Sequence, residues 1–319
     1  MFLSVVVPCY NEENNIRPFF DKTVSVLSDI IGDTELIFVN DGSKDNTVGE
    51  LKKLTRENVC KIKIVNFSRN FGKEAALLAG LENADGEYTA IIDADLQQNP
   101  KYILEMLDII RKNPDYDGVA AYQRERNESK VLSFFKNCFY KLINKITEVE
   151  FYRSASDFRV LSRKMVDAVL ALPEKCRFSK GIFSWIGFNV YYMPYDVESR
   201  LSGSSKWNFW KLTAYAVNGI VAFLDKPLIL SSLVGLLLFV IAIIIMIFVV
   251  VKTLLFGDPV AGFPTLASLI LLLSGIQLLC IGIIGQYLAK IYSESKSRPV
   301  YIVKEKLDNE KVSGDDDAE

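Results

Sequence analysis

Short apolar runs and longer amphipathic stretches alternate along the first two thirds of the chain. The short runs are rich in β-branched residues and have the length of strands, while the stretches between them repeat apolar residues at helical spacing. The predicted strands cover residues 3–7, 35–40, 61–67, 88–93, 118–122, 157–161 and 189–193. The predicted helices cover residues 14–31, 45–58, 72–83, 101–113 and 163–172. This alternation predicts an α/β domain with a largely parallel sheet, whose ligands bind at the carboxyl ends of the strands.

Two much longer apolar runs follow, at residues 228–251 and 263–288, and neither contains a charged residue. Each exceeds the roughly 20 residues that span a bilayer, so residues 227–289 are predicted to form a transmembrane hairpin. Lysine and arginine are more frequent before and after this hairpin than in its connecting loop. The positive-inside rule therefore predicts a multi-pass protein of the plasma (inner) membrane, with the N-terminal α/β domain and the tail in the cytoplasm.

Two further segments have the pattern of helices at a membrane surface. Residues 129–146 place apolar side chains on one helical face with lysines largely off it, and residues 206–226 combine lysines with Trp207 and Trp210. Amphipathic helices of this composition suit the headgroup layer, although packing on the domain core is the alternative. The predicted organisation is a domain at 1–205, a juxtamembrane helix at 206–226, the hairpin, and a tail at 290–319 with a disordered acidic end.

The amino-acid composition argues against several classes of catalytic site, metal site and partner. The chain has no histidine, which excludes Ser-His-Asp triads and HExxH zinc sites. Its five cysteines are scattered without a CxxC pair, which argues against a zinc site or a disulfide framework. The net charge of −2 and the lack of a nucleic-acid motif argue against a nucleic-acid partner. Acid–base chemistry is left to carboxylates, lysines, tyrosines or the substrate.

Polar residues follow the first three predicted strands, where a ligand edge is expected. The segments are Pro8-Cys9-Tyr10-Asn11-Glu12, Asn40-Asp41-Gly42-Ser43 and Ser68-Arg69-Asn70-Phe71-Gly72-Lys73. Caps and turns explain the second segment equally well, because Asp and Ser are common in both. In the third segment, two cations and a glycine at the start of a helix suit a phosphate.

The fourth predicted strand ends in Asp93-Ala94-Asp95, followed by Leu96-Gln97. Two carboxylates this close repel each other unless a cation lies beside them. A divalent metal on a diphosphate would supply that cation and needs few protein oxygens. A solvated turn is the alternative.

In order and spacing, these segments resemble the family-2 glycosyltransferases of the GT-A fold. The matching stretches are residues 5–12, 39–45 and 93–97. With the C-terminal hairpin, the closer resemblance is to polyprenyl-phosphate glycosyltransferases, including the bactoprenol glucosyltransferases and, more distantly, the dolichyl-phosphate mannose synthases. Residues 66–74, 156–163 and 200–207 extend this resemblance, which covers nearly the whole chain up to about Pro299.

The resemblance implies a role for each matching residue. The nucleotide sugar would be bound by Pro8, Tyr10, Asn11, Glu12, Asp41, Ser43, Arg69, Lys73, Asp93, Ala94 and Asp95, with Arg200, Ser205 and Lys206 on a loop closing over phosphate. Asp95 would ligate Mg²⁺ or Mn²⁺, Gln97 would lie near the transferred sugar, and Asp157 would be the catalytic carboxylate.

The implied reaction is an inverting transfer of a hexose to a polyprenyl phosphate in the bilayer, giving a lipid-linked sugar for cell-envelope glycans. UDP-glucose is the favoured donor, followed by UDP-N-acetylglucosamine and GDP-mannose. We predict that Arg124, Arg126 and Lys130 hold the lipid phosphate, with a solvated loop as the alternative. Glycines in the hairpin favour helix packing and hence a homo-oligomer. Because the acceptor phosphate is already largely anionic at neutral pH, Asp157 is expected to orient it as much as to take a proton.

Three other functions share some of these sequence features. A processive polysaccharide synthase would carry a Gln-x-x-Arg-Trp motif and a larger membrane bundle, and this chain has neither. A non-catalytic scaffold or lipid transporter would not need Asp93, Asp95 and Asp157. A soluble nucleotidyltransferase would not need the hairpin.

Overall fold

The computed structural model describes residues 1–123, 155–175, 177–198, 244, 251 and 262–309. They fall into two units, Met1–Asn208 with Arg298–Glu319, and Phe209–Ser297. The predicted segments 129–146 and 206–226, most of the first predicted span and the acidic end lie outside the described residues.

The first unit is built on one sheet. Its eight described strands are β1 (Leu3–Cys9), β2 (Thr34–Asn40), β3 (Lys61–Phe67), β4 (Tyr88–Ile91), β5 (Gly118–Gln123), β6 (Ala155–Ser162), β7 (Val190–Tyr195) and β8 (Val303–Asp308). Their order across the sheet is β7-β5-β6-β4-β1-β2-β3-β8. The seven predicted strands are all present, with ends shifted by a few residues.

Strands β4, β1, β2 and β3 are mutually parallel, as the sequence predicts for the centre of the sheet. Every residue of β2 and nearly every residue of β1 is buried, as expected for parallel strands covered on both faces. Outside this centre the sheet is mixed, since β6 runs antiparallel to both β4 and β5, and β8 runs antiparallel to β3. The prediction of a largely parallel sheet therefore holds only for the central strands.

The described helices of this unit are α1 (Ile16–Val26), α2 (Thr47–Leu54), α3 (Lys73–Glu82), α4 (Lys101–Lys112), α5 (Arg163–Leu170) and α6 (Ser179–Trp185). Helix α3 is almost wholly buried and packs on β1 and β2, which explains its run of alanine and leucine. Helix α1 presents Phe19 edge-on to Phe38 of β2, with ring centroids 6.2 Å apart. Helix α6 was not predicted, because its seven residues are too short for a periodic pattern to emerge.

One central strand carries a buried charge. The Glu35 carboxylate accepts hydrogen bonds from Ser4 Oγ at 2.5 Å and from the Asp85 N–H at 2.7 Å, and it pairs with Lys63 Nζ at 2.7 Å. These partners satisfy a carboxylate that has no exposed surface. They tie the amino ends of the strands together, at the edge of the sheet opposite the predicted site.

Strand β8 comes from the segment that the sequence predicted to be a tail. The ring of Tyr301, just before β8, stacks on Phe67 at the end of β3 with centroids 4.7 Å apart. After β8, Asn309 accepts a hydrogen bond from Ile62 N–H at 3.0 Å. The strand was missed because its lysines and acidic residues are poor strand formers, although such charges are common on an edge strand.

The second unit contains α7 (Phe263–Ser295), which includes the second predicted span. In the part of the chain that the structure describes, one stretch has the length and composition to cross a membrane. It covers Leu273–Ser295, has a mean hydropathy of 1.3, and is not buried.

Candidate functional site

The sheet brings the predicted site residues to one edge. Because β1, β2, β3 and β4 are parallel, the loops that follow them meet at the carboxyl edge. Strand β6 begins at the same edge because it is antiparallel to β4, with Ile91 opposite Arg159. Continuing this register by two residues sets Asp93 opposite Asp157. The sheet therefore forces two carboxylates to face each other.

Lys73 lies between these two carboxylates. Its Nζ is 2.8 Å from Asp93 Oδ1 and 2.9 Å from Asp157 Oδ2. The lysine is the first residue of α3 and follows Gly72, whose φ of +100° suits a glycine. The lysine that the sequence assigned to a phosphate thus forms an ion-pair bridge between two carboxylates.

The bridge changes the pKa values of its members. Burial raises the pKa of the Asp157 carboxyl, but Lys73, Lys180 and Arg159 outweigh it and hold that pKa well below its usual range. Burial lowers the pKa of Lys73, yet Asp93 and Asp157 overcome it and raise that pKa above its ordinary value. Both partners are therefore charged across the whole physiological range.

Asp41 organises the loop that leads to Lys73. Its carboxylate accepts hydrogen bonds from the N–H of Phe71 at 2.6 Å, from the N–H of Gly72 at 3.0 Å, and from Asn70 Nδ2 at 2.9 Å. Burial raises the pKa of Asp41, against the lowering effect of the Phe71 and Gly72 N–H groups. The loop also carries Arg69, whose guanidinium lies 4.1 Å from the centroid of the Phe71 ring. Asp41 thus fixes the backbone in front of α3.

Gly42 allows the loops after β2 and β3 to touch. A Cβ added at Gly42 would lie 2.3 Å from the backbone carbonyl carbon of Arg69, and its φ is +63°. Both facts require glycine at this position.

The loops after β1 and β2 are joined by reciprocal hydrogen bonds. The Asn11 N–H donates to Ser43 Oγ at 2.9 Å, while Asn11 Oδ1 accepts from the Lys44 N–H at 2.8 Å. The Glu12 N–H donates to Thr47 Oγ1 at 2.9 Å. Pro8, beside Val39, and Tyr10 lead into this loop pair, and the side chains of both are half-buried. The predicted pocket residues of the first two strands are therefore neighbours.

The turn after β4 alternates between buried and half-exposed residues. Ala94 and Leu96 are buried, whereas Asp93, Asp95 and Gln97 are half-exposed. Asp95 Oδ1 accepts the Gln97 N–H at 3.1 Å, and Leu96 has a φ of +58°. This alternation puts the three predicted polar side chains on the accessible side of the turn.

Several residues at this edge were missed by the sequence analysis. Gln98 Oε1 accepts the Asp93 N–H at 3.0 Å, and the Glu198 N–H donates to the carbonyl of Gln97 at 3.1 Å. Glu74 accepts the Ser179 N–H at 2.8 Å and also the Ser179 hydroxyl. Burial raises the pKa of Glu74 despite these bonds. Of these residues, only Glu74 lay within a stretch that the sequence had marked, residues 66–74, and Gln98 directly follows another, residues 93–97.

Six predicted residues lie outside the described residues: Arg124, Arg126, Lys130, Arg200, Ser205 and Lys206. Within the described ranges, no group of three or more histidine, cysteine, aspartate or glutamate residues is arranged to hold a metal ion. Mg²⁺ usually takes several of its ligands from phosphate groups and water, so a single protein carboxylate can be enough to hold it at such an edge.

An α/β sheet with acidic and basic side chains gathered at its carboxyl edge is typical of proteins that bind their ligands at the strand ends. The family model described as "Glycosyl transferase family 2" matches residues 4–170. The chain belongs to glycosyl transferase family 2 and is a glycosyltransferase. Family membership and the described sheet together support a GT-A-like fold.

Relatives cover nearly the full length of the chain. An uncharacterized glycosyltransferase of Synechocystis sp. is 42% identical over 94% of this chain and 94% of its own. The bactoprenol glucosyl transferase of Shigella phage SfV is 39% identical over 95% of this chain and 98% of its own. A solved glucosyl-3-phosphoglycerate synthase of Mycobacterium tuberculosis is 19% identical over 69% of this chain and 76% of its own, with a TM-score of 0.49.

Replacing Lys73 with methionine tests the bridge through stability. Asp157 has a lowered pKa and Lys73 a raised one, so their pairing stabilises the fold above about pH 4 and below about pH 10, the unfolded values. We expect K73M to lower the melting temperature by about 3–6 °C at pH 7. The difference from wild type should shrink as the pH falls below about 4, because Asp157 without its lysine is then protonated in the variant, whereas the bridged carboxyl of the wild type stays ionised to lower pH.

The measurement is thermal unfolding of the purified chain between pH 2.5 and 8. The matched control is K112M, which removes an exposed lysine 2.6 Å from Asp108. The control should change the melting temperature little at any pH. A K73M deficit that stays constant from pH 8 down to 2.5 would contradict the bridge.

Proposed function

We propose that this glycosyltransferase moves a hexose from a nucleotide sugar to a polyprenyl phosphate and inverts the anomeric centre. UDP-glucose is the favoured donor, and UDP-N-acetylglucosamine is the next choice. The product is a lipid-linked sugar for modification of cell-envelope glycans. The observation that carries the proposal is the bridge of Lys73 between Asp93 and Asp157 at the carboxyl edge, with the half-exposed Asp95 in the turn directly after Asp93. The 39% identity to a bactoprenol glucosyl transferase supports the choice of acceptor and sugar.

The donor site is proposed along the joined loops. Pro8, Tyr10, Asn11, Glu12, Asp41 and Ser43 would surround the nucleoside, with Ala94 beside it and Gln97 near the sugar. Asp41 would act through the backbone that it holds, because its carboxylate already accepts the Phe71 and Gly72 N–H groups. Arg69 has the position to meet a phosphate, and Arg200, Ser205 and Lys206 are proposed to close over the diphosphate.

Asp95 is the proposed protein ligand of a divalent ion, Mg²⁺ or Mn²⁺. Its half-exposed carboxylate on the accessible side of the turn fits an ion that keeps waters and phosphate oxygens in its shell. Such an ion would neutralise charge on the diphosphate leaving group. Asp93 is not proposed as a metal ligand, because it forms an ion pair with Lys73.

The proposed reaction is one direct displacement. A phosphate oxygen of the acceptor forms a bond to C1 of the sugar while the bond from C1 to the diphosphate oxygen breaks. The electron pair of the broken bond leaves with the nucleoside diphosphate. The chain contributes by holding the donor at the joined loops and by keeping the carboxylates around Lys73 fixed in charge and place.

Asp157 is proposed to position the reactants rather than to take a proton. A general base works best when its pKa lies near the working pH, and the pKa of Asp157 is held well below its usual range. The acceptor phosphate loses its second proton near pH ~6, so it needs little help at neutral pH.

The membrane placement is proposed from the acceptor and from α7. A polyprenyl phosphate stays in the bilayer, so the enzyme must work at its surface. The unburied apolar stretch within α7 would anchor the chain, with residues 228–251 as the second span of a hairpin. We propose a multi-pass protein of the inner membrane with its catalytic domain in the cytoplasm, in a homo-oligomer. Arg124, Arg126 and Lys130 are proposed to meet the lipid phosphate.

The direct test is incubation of the purified chain with undecaprenyl phosphate and each radiolabelled donor: UDP-glucose, UDP-N-acetylglucosamine and GDP-mannose. We expect label in the lipid phase from UDP-glucose, dependent on Mg²⁺ or Mn²⁺. Asp95→Asn should lower the rate by about a hundredfold or more, as for other groups that stabilise developing charge. The matched control Asp108→Asn, on the exposed side of α4, should keep the rate. No labelled lipid from any donor would overturn the proposal.

A second test separates positioning from proton transfer at Asp157. We expect Asp157→Asn to lower kcat by the same factor at pH 5.5 and pH 8, because the wild-type carboxylate does not accept a proton in this range. The measurement is kcat for lipid glycosylation at both pH values. If Asp157 were a general base, its loss would lower kcat most at pH 5.5, where much of the acceptor phosphate still carries its second proton. A defect that is severe at pH 5.5 and small at pH 8 would therefore refute the positioning role.

A further inference from the structure

Helix α6 is fixed against the site by two contacts. At its start, Ser179 donates its N–H to Glu74 Oε2 at 2.8 Å, and Glu74 is the residue after Lys73. One turn later, the ring of Phe183 lies beneath the guanidinium of Arg159, 4.0 Å from the ring centroid. Arg159 in turn donates to the backbone carbonyl of Ser156 at 2.9 Å. The first turn of α6 is therefore held beside the start of β6, where Asp157 lies.

Lys180 belongs to this first turn. Its side chain is half-exposed, and among the described residues no carboxylate forms an ion pair with it. It is nevertheless close enough to Asp157 to act on the charge of that carboxylate. Lys180 is thus an accessible cation on the Asp157 side of the site.

The charge of the reactants requires such a cation. An acceptor phosphate carries a charge of about −1.5 to −2 at neutral pH and would be repelled by Asp157. Among the described residues, the cations that act on Asp157 are Lys73, Lys180 and Arg159. Lys73 is engaged by two carboxylates, and Arg159 is 5% exposed and lies against the Phe183 ring of α6. Lys180 is the one of these three that an incoming phosphate can reach without breaking an ion pair.

We propose that Lys180 binds the phosphate of the lipid acceptor and holds it beside Asp157, an inference that rests on the proposed function. Lys180 acts on the β6 side of the site, whereas Asp95 lies after β4. Because Asp95 is the proposed ligand of the ion on the donor diphosphate, we assign Lys180, beside Asp157, to the acceptor. Glu74 and Ser179 are positioning residues, because they hold the turn that carries Lys180.

The experiment measures initial rates for the purified full-length chain, with each substrate varied while the other is saturating. The variants are Lys180→Met, Lys180→Gln and Lys180→Arg, with Lys112→Met as the control far from the site. We expect the two neutral variants to raise the KM for polyprenyl phosphate about tenfold to a hundredfold, the effect of losing a charge-assisted hydrogen bond. The KM for the sugar nucleotide should change less than about twofold, and K180R should restore most of the acceptor affinity.

The outcomes distinguish the possible sources of the phosphate. A higher donor KM with an unchanged acceptor KM would assign Lys180 to the donor diphosphate and overturn the inference. Unchanged values for both substrates in K180M and K180Q would also overturn it. If the wild-type chain formed no glycosylated lipid, the proposed function would fail together with the inference. If the wild type forms product and the variants keep its KM for the acceptor, the role of Lys180 is wrong, and the proposed function still stands. Melting temperatures of all variants establish that each is folded.

Discussion

The site depends on one electrostatic constraint: two carboxylates face each other across a pair of antiparallel strands, and one lysine keeps them together. The register of β4 and β6 explains this meeting, since Ile91 pairs with Arg159 and continuing the register by two residues sets Asp93 opposite Asp157. Without Lys73 the two charges would repel each other in a partly buried place, where side chains are 31% and 23% exposed.

Several contacts in the surrounding structure position Lys73. Asp41 holds the N–H groups of Phe71 and Gly72, and Gly42 lets the loops after β2 and β3 approach. Tyr301 stacks on Phe67, where β3 leads into the same loop. The chain beyond α7 therefore returns to the catalytic unit and supports the strand that precedes the site. Support by buried hydrogen bonds and packing suits a site whose charges must stay fixed during the reaction.

The sequence predicted the parts of this arrangement that follow from local pattern. Buried parallel strands are marked by β-branched runs, so the centre of the sheet and the edge that holds the site were found, and the family resemblance was confirmed. The antiparallel β8 was missed because pairing with β3 is a long-range event and its charged residues are typical of loops as well. Helix α6 is too short to show a period. The Lys73 bridge was missed because the sequence around Gly72-Lys73 does not show that β6 brings Asp157 to the same point. From its position at the start of a helix, the lysine was assigned to a phosphate instead.

The most direct test of the central claim is a double-mutant cycle between Lys73 and Asp157, measured through kcat/KM for lipid glycosylation. If the two side chains act as one bridge, the first substitution already removes most of what the second would remove. The double variant Lys73→Met, Asp157→Asn should then be about as slow as the slower single variant, with a coupling of about tenfold or more. If the two single losses multiply in the double variant, the residues act independently, and the bridge is not the constraint on which the site depends.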